Sequence, residues 1–301
     1  MANITDSEVS VATPQFWLAI ALGRLKANLM MARLVRRDAD NVIAEQGDTV
    51  NVVKRGSLTV RDKTANTDIT PDAPSNTKVA VVLDQHKYVA WYLEDSASAK
   101  AIDDAVGYVE DGADALAEAV ETELLKLHSS IANEVGQAGR EIGLAEILAT
   151  RKKLNDLKCP MMGRNLIVSS KDEISLLDTD RLVEADKSGD SGEVLREANL
   201  GRVYGFDVYM SQLVDVTSGT PDTTHNIAFH GNAFMLVSRP LPTPEEGTGA
   251  QAMTLADPET GLALRYTKQW DSAKLATKHV IDLLFGVKAV DEDRLAVEVI
   301  S

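Results

Sequence analysis

Residues 102–135 read IDDAVGYVEDGADALAEAVETELLKLHSSIANEV and decide the fold, because one apolar stripe runs through the whole stretch. Its apolar residues recur at steps of three or four: Ile102, Val106, Val109, Ala113, Leu116, Val120, Leu124, Leu127, Ile131 and Val135. This spacing predicts one long amphipathic helix that buries a single face. At 1.5 Å per residue the helix would be about 50 Å long, which is unusual in a globular enzyme. Gly107 and Gly112 weaken its first half, which is the predicted place to bend.

Charge is distributed unevenly along the chain, whose 301 residues carry a formal net charge of −15. Residues 94–123 contain ten acids and one lysine, whereas residues 16–37 contain five basic residues and no acid. The acidic excess argues against a general nucleic-acid binder, since neutralising phosphates needs surplus Lys and Arg. We expect the basic arm to pair with the acidic helix of its own chain or of a neighbouring copy. The candidate inter-subunit contacts are Arg24, Lys26, Arg33, Arg36, Arg37, Asp103, Asp104, Glu110 and Asp111.

Extended segments precede the long helix and return after it. Residues 49–53, 78–83 and 87–93 are rich in β-branched and aromatic residues and predict strands. The polar residues 62–77 between the first two strands cannot form a core, which predicts a long hairpin with a mobile tip. Later segments predict two helices and five strands: helices at 144–157 and 172–177, and strands at 165–169, 203–210, 226–237, 261–270 and 278–290. The expected fold class is α+β.

No motif predicts catalysis. The five histidines lack the close spacing of metal ligands, and the single cysteine, Cys159, is expected to pack in the core. The tetrapeptide GDSG at 189–192 is similar to a protease nucleophile loop, but its polar surroundings favour a turn. We therefore predict no enzyme activity, catalytic residue, metal site or cofactor. Apolar runs are too short to cross a membrane, and the first residues do not resemble a secretion signal.

Seven short segments, in this order along the chain, carry a resemblance to a known family. They are GDTVN (47–51), VLDQHK (82–87), GRVYGFDVYMS (201–211), NIAFHGNAF (226–234), SRPLP (238–242), GLALRY (261–266) and IDLLFGVKAV (281–290). With the basic arm, the hairpin and the long helix, they resemble the major capsid (coat) protein of tailed bacteriophages, in its podovirus coat-protein branch. The resemblance covers nearly the whole chain and implies the Hong Kong 97-type fold.

The resemblance also divides the chain into the segments of that fold. Its segments would be the N-terminal arm (1–44), the E-loop (45–93), the P-domain (94–185) with its spine helix (94–136), the A-domain (186–285) and a C-terminal return to the sheets of both domains (286–301). The implied function is self-assembly, as hexamers and pentamers, into the icosahedral head shell around a double-stranded DNA genome. Expansion from procapsid to mature capsid would follow, with Gly107 and Gly112 as the spine-helix hinge.

Further partners follow from the resemblance alone. They would be a separate scaffolding protein, because a long built-in scaffold extension is not seen, together with a portal protein and a decoration protein. DNA would be enclosed without sequence-specific binding, no membrane would be involved, and the protein would reside in the virion after assembly in the host cytoplasm. Three alternatives stay open: the acidic helix faces packaged DNA, the shell is an encapsulin-like compartment with enzyme cargo, or the chain is a serine hydrolase using Ser191 and a histidine.

Overall fold

The computed structural model of the chain describes residues 17–25, 29–37, 49–56, 58–95, 104–179, 201–245, 249–257 and 261–301, with side chains of the long helix from residue 107 onward. Helices in these ranges are α1 (17–25), α2 (Met31–Leu34), α3 (Asp104–Leu125), α4 (Leu144–Asp156), α5 (Ser170–Leu177) and α6 (Glu292–Leu295). Among the described residues, no helix combines the length and apolarity that crossing a membrane requires.

The strands, in chain order, form one hairpin and two larger sheets. They are β1 (Thr49–Lys54), β2 (Thr77–Val82), β3 (Gln85–Glu94), β4 (Glu134–Gly136), β5 (Arg164–Val168), β6 (Arg202–Val203), β7 (Phe206–Met210), β8 (Val216–Thr217), β9 (Thr223–His230), β10 (Phe234–Arg239), β11 (Ala250–Ala256), β12 (Ala263–Asp271), β13 (Ala276–Ala289) and β14 (Ala296–Ile300). The chain is therefore α+β, as the sequence predicts.

The long helix α3 packs its apolar stripe onto a five-stranded antiparallel sheet. In that sheet the strand order is β10-β13-β12-β11, and β3 also pairs with β13. Val109, Ala113 and Val120 are fully buried, which confirms the buried face that the stripe predicts. Gly112 lies over the sheet, where an added Cβ would sit 3.6 Å from Val89 and 3.7 Å from Ile281. Such distances are ordinary van der Waals contacts.

The helix ends earlier than predicted, at Leu125, and its described part, Asp104–Leu125, has 22 residues and measures about 33 Å. Glu94 belongs to β3, and after Leu125 the chain tightens into a 3-10 turn, Lys126–Ser130. There the hydroxyls of Ser129 and Ser130 donate to carbonyl oxygens three residues back, at 3.0 and 2.7 Å, and compete with helical hydrogen bonding. The apolar spacing continues to Val135, but that residue lies in β4, which pairs in parallel with β14.

The second sheet has seven strands, in the order β4-β14-β9-β5-β7-β6 with β8 against β9. Residues 226–237, predicted as one strand, are two strands, because the chain turns at residues 231–233 and passes from this sheet to the other. Phe229 and Phe234 meet edge to face across the turn, with ring centroids 5.4 Å apart. Both sheets combine strands from more than one of the segments that the family resemblance implies. The boundaries of those segments, from the N-terminal arm to the C-terminal return, remain predictions.

The hairpin that the sequence predicts is present at its base. Strands β1 and β2 are antiparallel, with Thr49 opposite Val82 and Lys54 opposite Thr77. Residues 58–76, in the tip between them, form no strand. The returning strand is interrupted at Leu83 and Asp84, after which β3 leaves the hairpin and joins β13.

The hairpin base crosses directly over the backbone of β13 at Gly286. A Cβ at this position would lie 2.1 Å from the carbonyl oxygen of Val82 and 2.9 Å from its carbonyl carbon. Backbone cannot move aside as a flexible side chain can, so only glycine fits here. The absence of a side chain at Gly286 sets how closely the hairpin approaches the sheet.

Gly286→Ala is expected to lower the free energy of unfolding by about 1–3 kcal/mol, because the methyl group forces two backbones apart. Urea denaturation of the purified chain measures this change. The matched control is Gly107→Ala, at an exposed helical position with nothing within 4 Å of the added Cβ. The control should stabilise the chain by about 0.4–1 kcal/mol. Equal stability of Gly286→Ala and the wild type would contradict the close approach.

Candidate functional site

The described parts of the N-terminal arm, residues 17–25 and 29–37, lie on the long helix and on the five-stranded sheet. Leu18, Ala21 and Leu25 of α1 and Met31 of α2 are almost wholly buried, and all belong to the same core as the stripe of α3. Further along, Arg36 joins the sheet, since its N–H donates to the Phe234 carbonyl and its carbonyl accepts from Leu236, each at 3.1 Å. The arm is therefore part of the folded subunit over these residues.

One buried carboxylate of α3 fixes the arm in place. Glu121 Oε1 accepts from the backbone N–H groups of Met30 at 2.7 Å and Ala32 at 3.1 Å, and Oε2 accepts from Met31 at 2.9 Å. The residue is 4% exposed. Burial raises the pKa of the Glu121 carboxyl above its usual value, and the three N–H donors act in the opposite direction. The carboxylate thus satisfies the first N–H groups of α2, which have no helical partner.

The predicted pairing of the arm with the acidic helix is present within the chain at Arg24, whose partner Asp114 was not among the predicted contacts. Arg24 Nε donates to both carboxylate oxygens of Asp114, at 2.9 and 3.1 Å, on the surface of α3. This hydrogen bond is the main cause that raises the pKa of Arg24, with smaller contributions from the nearby charges of Glu110 and Asp111. The arm and the acidic helix therefore meet in their own subunit at Arg24.

The structure places the other predicted contact residues in several different surroundings. Arg33 lies close enough to Glu121 for its charge to favour the ionised carboxylate, and Arg37 has a buried Nη1 atom without a hydrogen-bond partner among the described residues. Asp111 is exposed and Glu110 is half-buried on α3. Lys26 and Asp103 lie outside the described residues, as does the side chain of Asp104.

Sequence reasoning missed Glu121 and Asp114, although Glu121 left a readable signal. Ala113, Ala117, Glu121 and Leu125 follow one another at steps of four, so the acid interrupts a row of otherwise apolar residues. A carboxylate in such a row has to be buried or to distort the helix, and a buried carboxylate needs donors. The sequence does not say that the donors come from residues 30–32.

A second contact holds α1 through aromatic rings. Trp17 of α1 and Trp91 of β3 both stack on His279 of β13, with ring centroids 5.1 and 5.5 Å away. His279 Nδ1 lies 2.6 Å from the Tyr266 hydroxyl. Burial, with a smaller effect from Lys268, lowers the pKa of His279 to about 4, so this histidine is neutral near pH 7.

At the tip of the hairpin, unlike in the N-terminal arm, apolar side chains are exposed to solvent. Leu58, Val60 and Ile69 are 72%, 96% and 79% exposed. The two limbs of the tip are joined by polar contacts, in which Asp72 accepts from Arg61 at 2.5 Å and from the Thr59 N–H at 2.7 Å. Hydrogen bonds thus link the two limbs of the tip, and its apolar side chains are exposed to solvent.

The residues weighed for catalysis do not form a described active site. Cys159 is buried in the core, as predicted, and burial raises the pKa of its thiol, which disfavours the reactive thiolate. Ser191 and the rest of GDSG lie outside the described residues. The histidines predicted to be scattered are not all apart, since His128 and His225 stack with centroids 4.2 Å apart.

Replacing Glu121 tests how the arm is held. Glu121→Ala should lower the free energy of unfolding by roughly 3 kcal/mol or more, because three buried N–H groups lose their acceptor. Glu121→Gln should cost less, since its single amide oxygen can still accept. Glu118→Gln, at an exposed position of the same helix, should change stability by less than about 0.5 kcal/mol. Urea denaturation and hydrogen exchange at residues 30–32 measure both effects, and unaltered exchange in Glu121→Ala would rule out this anchor.

His279 makes stability depend on pH. The unfolded chain takes up a proton near pH 6.5, whereas the folded chain does so only at about pH 4. Between these values the unfolded state binds more protons, so stability falls as pH falls, by up to about 1.4 kcal/mol per pH unit. Denaturation of wild type and His279→Phe from pH 7.5 to 4 isolates this effect, because phenylalanine does not titrate. Identical pH slopes would show that His279 is not buried as a neutral group.

Comparisons with known proteins agree with the geometry. The chain matches no protein-family model and no curated protein sequence. A solved chain from Mycobacterium phage Che8 is 22% identical, with a TM-score of 0.68 and 90% of both chains covered. A chain of the mature capsid of bacteriophage PhiM1 is 14% identical, with a TM-score of 0.58, over 85% of this chain and 82% of that one. The capsid of Ralstonia phage GP4 gives 11% identity and a TM-score of 0.60, over 85% and 84%. The chain therefore has the Hong Kong 97-type fold of phage capsid proteins, which confirms the predicted fold, and its place in the podovirus branch stays a prediction.

Proposed function

We propose that this chain is a major capsid protein that assembles with copies of itself into the icosahedral head shell of a tailed phage. The observation that carries the proposal is the hairpin tip, within a fold similar to that of phage capsid chains along about 90% of its length. The tip presents Leu58, Val60 and Ile69 to solvent. Three exposed aliphatic side chains on an otherwise polar tip are favourable for a subunit only if a second molecule covers them.

The partner proposed for the tip is another copy of the chain. Each buried Leu, Val or Ile side chain contributes about 1.5–3 kcal/mol, so covering three of them outweighs the modest cost of ordering an arm already held by Asp72. Closed symmetry repeats the same contact in every copy. The hairpin tip would then lie on a neighbouring subunit, and the shell would be a structural assembly, not an enzyme.

Electrostatics adds a second set of proposed contacts. Arg24 is engaged by Asp114 of its own chain, so inter-subunit pairing would fall to the remaining candidates, among them the exposed Asp111 and the half-buried Glu110. Exposed pairs contribute only about 0.2–1 kcal/mol each, and a shell multiplies them. The alternative assignment, in which the acidic helix faces packaged DNA and repels it, rests on the same charges.

Expansion from procapsid to mature capsid, with Gly107 and Gly112 as a hinge in α3, belongs to the same proposal. So do the scaffolding, portal and decoration proteins as partners, and assembly in the host cytoplasm before residence in the virion. The solved structures named above give no support to a compartment with enzyme cargo or to a serine hydrolase.

Assembly is tested by placing charge on the tip. A variant with Leu58→Asp, Val60→Asp and Ile69→Asp should form no shells, because three carboxylates cannot be buried against a neighbour without partners. Ala65→Asp, also exposed on the tip, adds a charge without removing an apolar contact and should assemble. Electron microscopy and light scattering, with any scaffolding protein supplied to all samples, measure the particles. Shells of the triple variant in wild-type yield would refute the proposed role of the tip.

A further inference from the structure

Three side chains from distant parts of the sequence converge where the long helix ends against the seven-stranded sheet. His128 lies in the turn Lys126–Ser130, His225 in β9 and Glu298 in β14. Strands β9 and β14 are antiparallel with Ile227 opposite Glu298, so His225 and Glu298 are diagonal neighbours on one face. One potential ligand atom from each side chain lies within 4.8 Å of the other two.

The two imidazoles point at the same oxygen. His128 Nδ1 lies 3.1 Å and His225 Nδ1 lies 2.5 Å from Glu298 Oε1. The side chains of His128, His225 and Glu298 are 11%, 14% and 6% exposed. The three side chains are thus largely buried, so any donor or acceptor among them that lacks a partner costs free energy.

The outer nitrogens of both rings have partners of their own. His128 Nε2 lies 3.0 Å from Asp215 Oδ2, and an ionised carboxylate can only accept, so this nitrogen donates. His225 Nε2 lies 2.9 Å from Thr217 Oγ1, a hydroxyl that can accept a proton from this nitrogen or donate to it. With the proton of each neutral ring on Nε2, both Nδ1 atoms direct a lone pair at the Glu298 oxygen. In these tautomers the converging lone pairs repel one another unless a cation lies among them.

We propose that His128 Nδ1, His225 Nδ1 and the Glu298 carboxylate bind a divalent metal ion of the zinc class, with water completing a tetrahedron. Imidazole nitrogen and carboxylate oxygen bind zinc at about 2.0–2.2 Å, which sets ligand atoms roughly 3.3 Å apart. The 3.1 Å between His128 Nδ1 and Glu298 Oε1 is close to this spacing, and the 2.5 Å between His225 Nδ1 and the same oxygen would widen when the ion binds. Asp215 and Thr217 act as the outer partners that fix the tautomer of metal-bound histidines. With neutral imidazoles, the two carboxylates balance the charge of the ion.

The site would pin the end of α3 to the second sheet. His128 immediately follows the helix that carries the arm and the first sheet, whereas His225 and Glu298 lie on neighbouring strands of the other sheet. All three ligands come from one chain, so the proposal does not depend on assembly. Asp215 is half exposed, which leaves a polar route for the ion from solvent.

Metal binding is tested on the full-length chain after chelation and dialysis. Titration calorimetry with Zn²⁺ should show one equivalent bound, and Co²⁺ should give the visible absorption of a four-coordinate ion. Saturating Zn²⁺ should raise the melting temperature by several degrees, because the ion binds only the folded chain. His225→Gln and Glu298→Gln should each weaken binding by at least tenfold and lose the Co²⁺ absorption.

The matched control is His86→Gln, which removes a histidine that also contacts a carboxylate, Asp282 at 2.9 Å, without a second histidine. It should bind both ions as the wild type does. Circular dichroism establishes that every variant is folded before its affinity is compared. Absence of binding by the folded wild type would overturn the proposal. Protons on the two Nδ1 atoms, donated to Glu298, would then account for the short distances. Wild-type affinity in either His225→Gln or Glu298→Gln would overturn the proposal equally.

Discussion

The buried carboxylate of Glu121 is the contact on which the arrangement of this subunit depends. It takes the N–H groups of Met30, Met31 and Ala32 out of water and supplies the acceptors that α2 lacks. A lone carboxylate at this depth would be costly, so helix and arm need each other. Once residues 30–32 are fixed, the chain continues to Arg36, which joins the sheet beside Met235. Helix α3, the described parts of the N-terminal arm and the five-stranded sheet therefore form one unit.

The hairpin tip differs from that unit in the burial of its apolar side chains, and this difference bears on the proposed function. Leu18, Leu25 and Met31 of α1 and α2 are buried in their own subunit, whereas the apolar residues of the tip are exposed. Gly286 lets the base of the hairpin cross tightly over β13, so the tip projects from a firmly packed base. The exposed apolar side chains of the hairpin tip can therefore be buried by another copy of the same chain.

Periodicity predicted what depends on local pattern and missed what depends on long-range pairing. The stripe of α3 and the strands at 49–54, 77–82 and 85–94 were predictable, since burial on one face leaves a regular spacing. The end of α3 was not predictable, because the apolar spacing continues past Leu125. The hydroxyls of Ser129 and Ser130 donate to carbonyl oxygens three residues back and compete there with helical hydrogen bonding. Glu121 and the group of His128, His225 and Glu298 depend on contacts between distant segments, which spacing cannot encode. The family resemblance, which rests on the order of many short segments, predicted the fold where individual motifs could not.

The most direct test of the account is a cryo-electron microscopy reconstruction of particles formed by the wild-type chain. We expect closed icosahedral shells in which Leu58, Val60 and Ile69 of each copy are buried against a neighbouring copy, while the N–H groups of residues 30–32 still donate to Glu121 of their own chain. A chain that stays monomeric with its scaffolding partner present, or shells whose hairpin tips project freely into solvent, would contradict it.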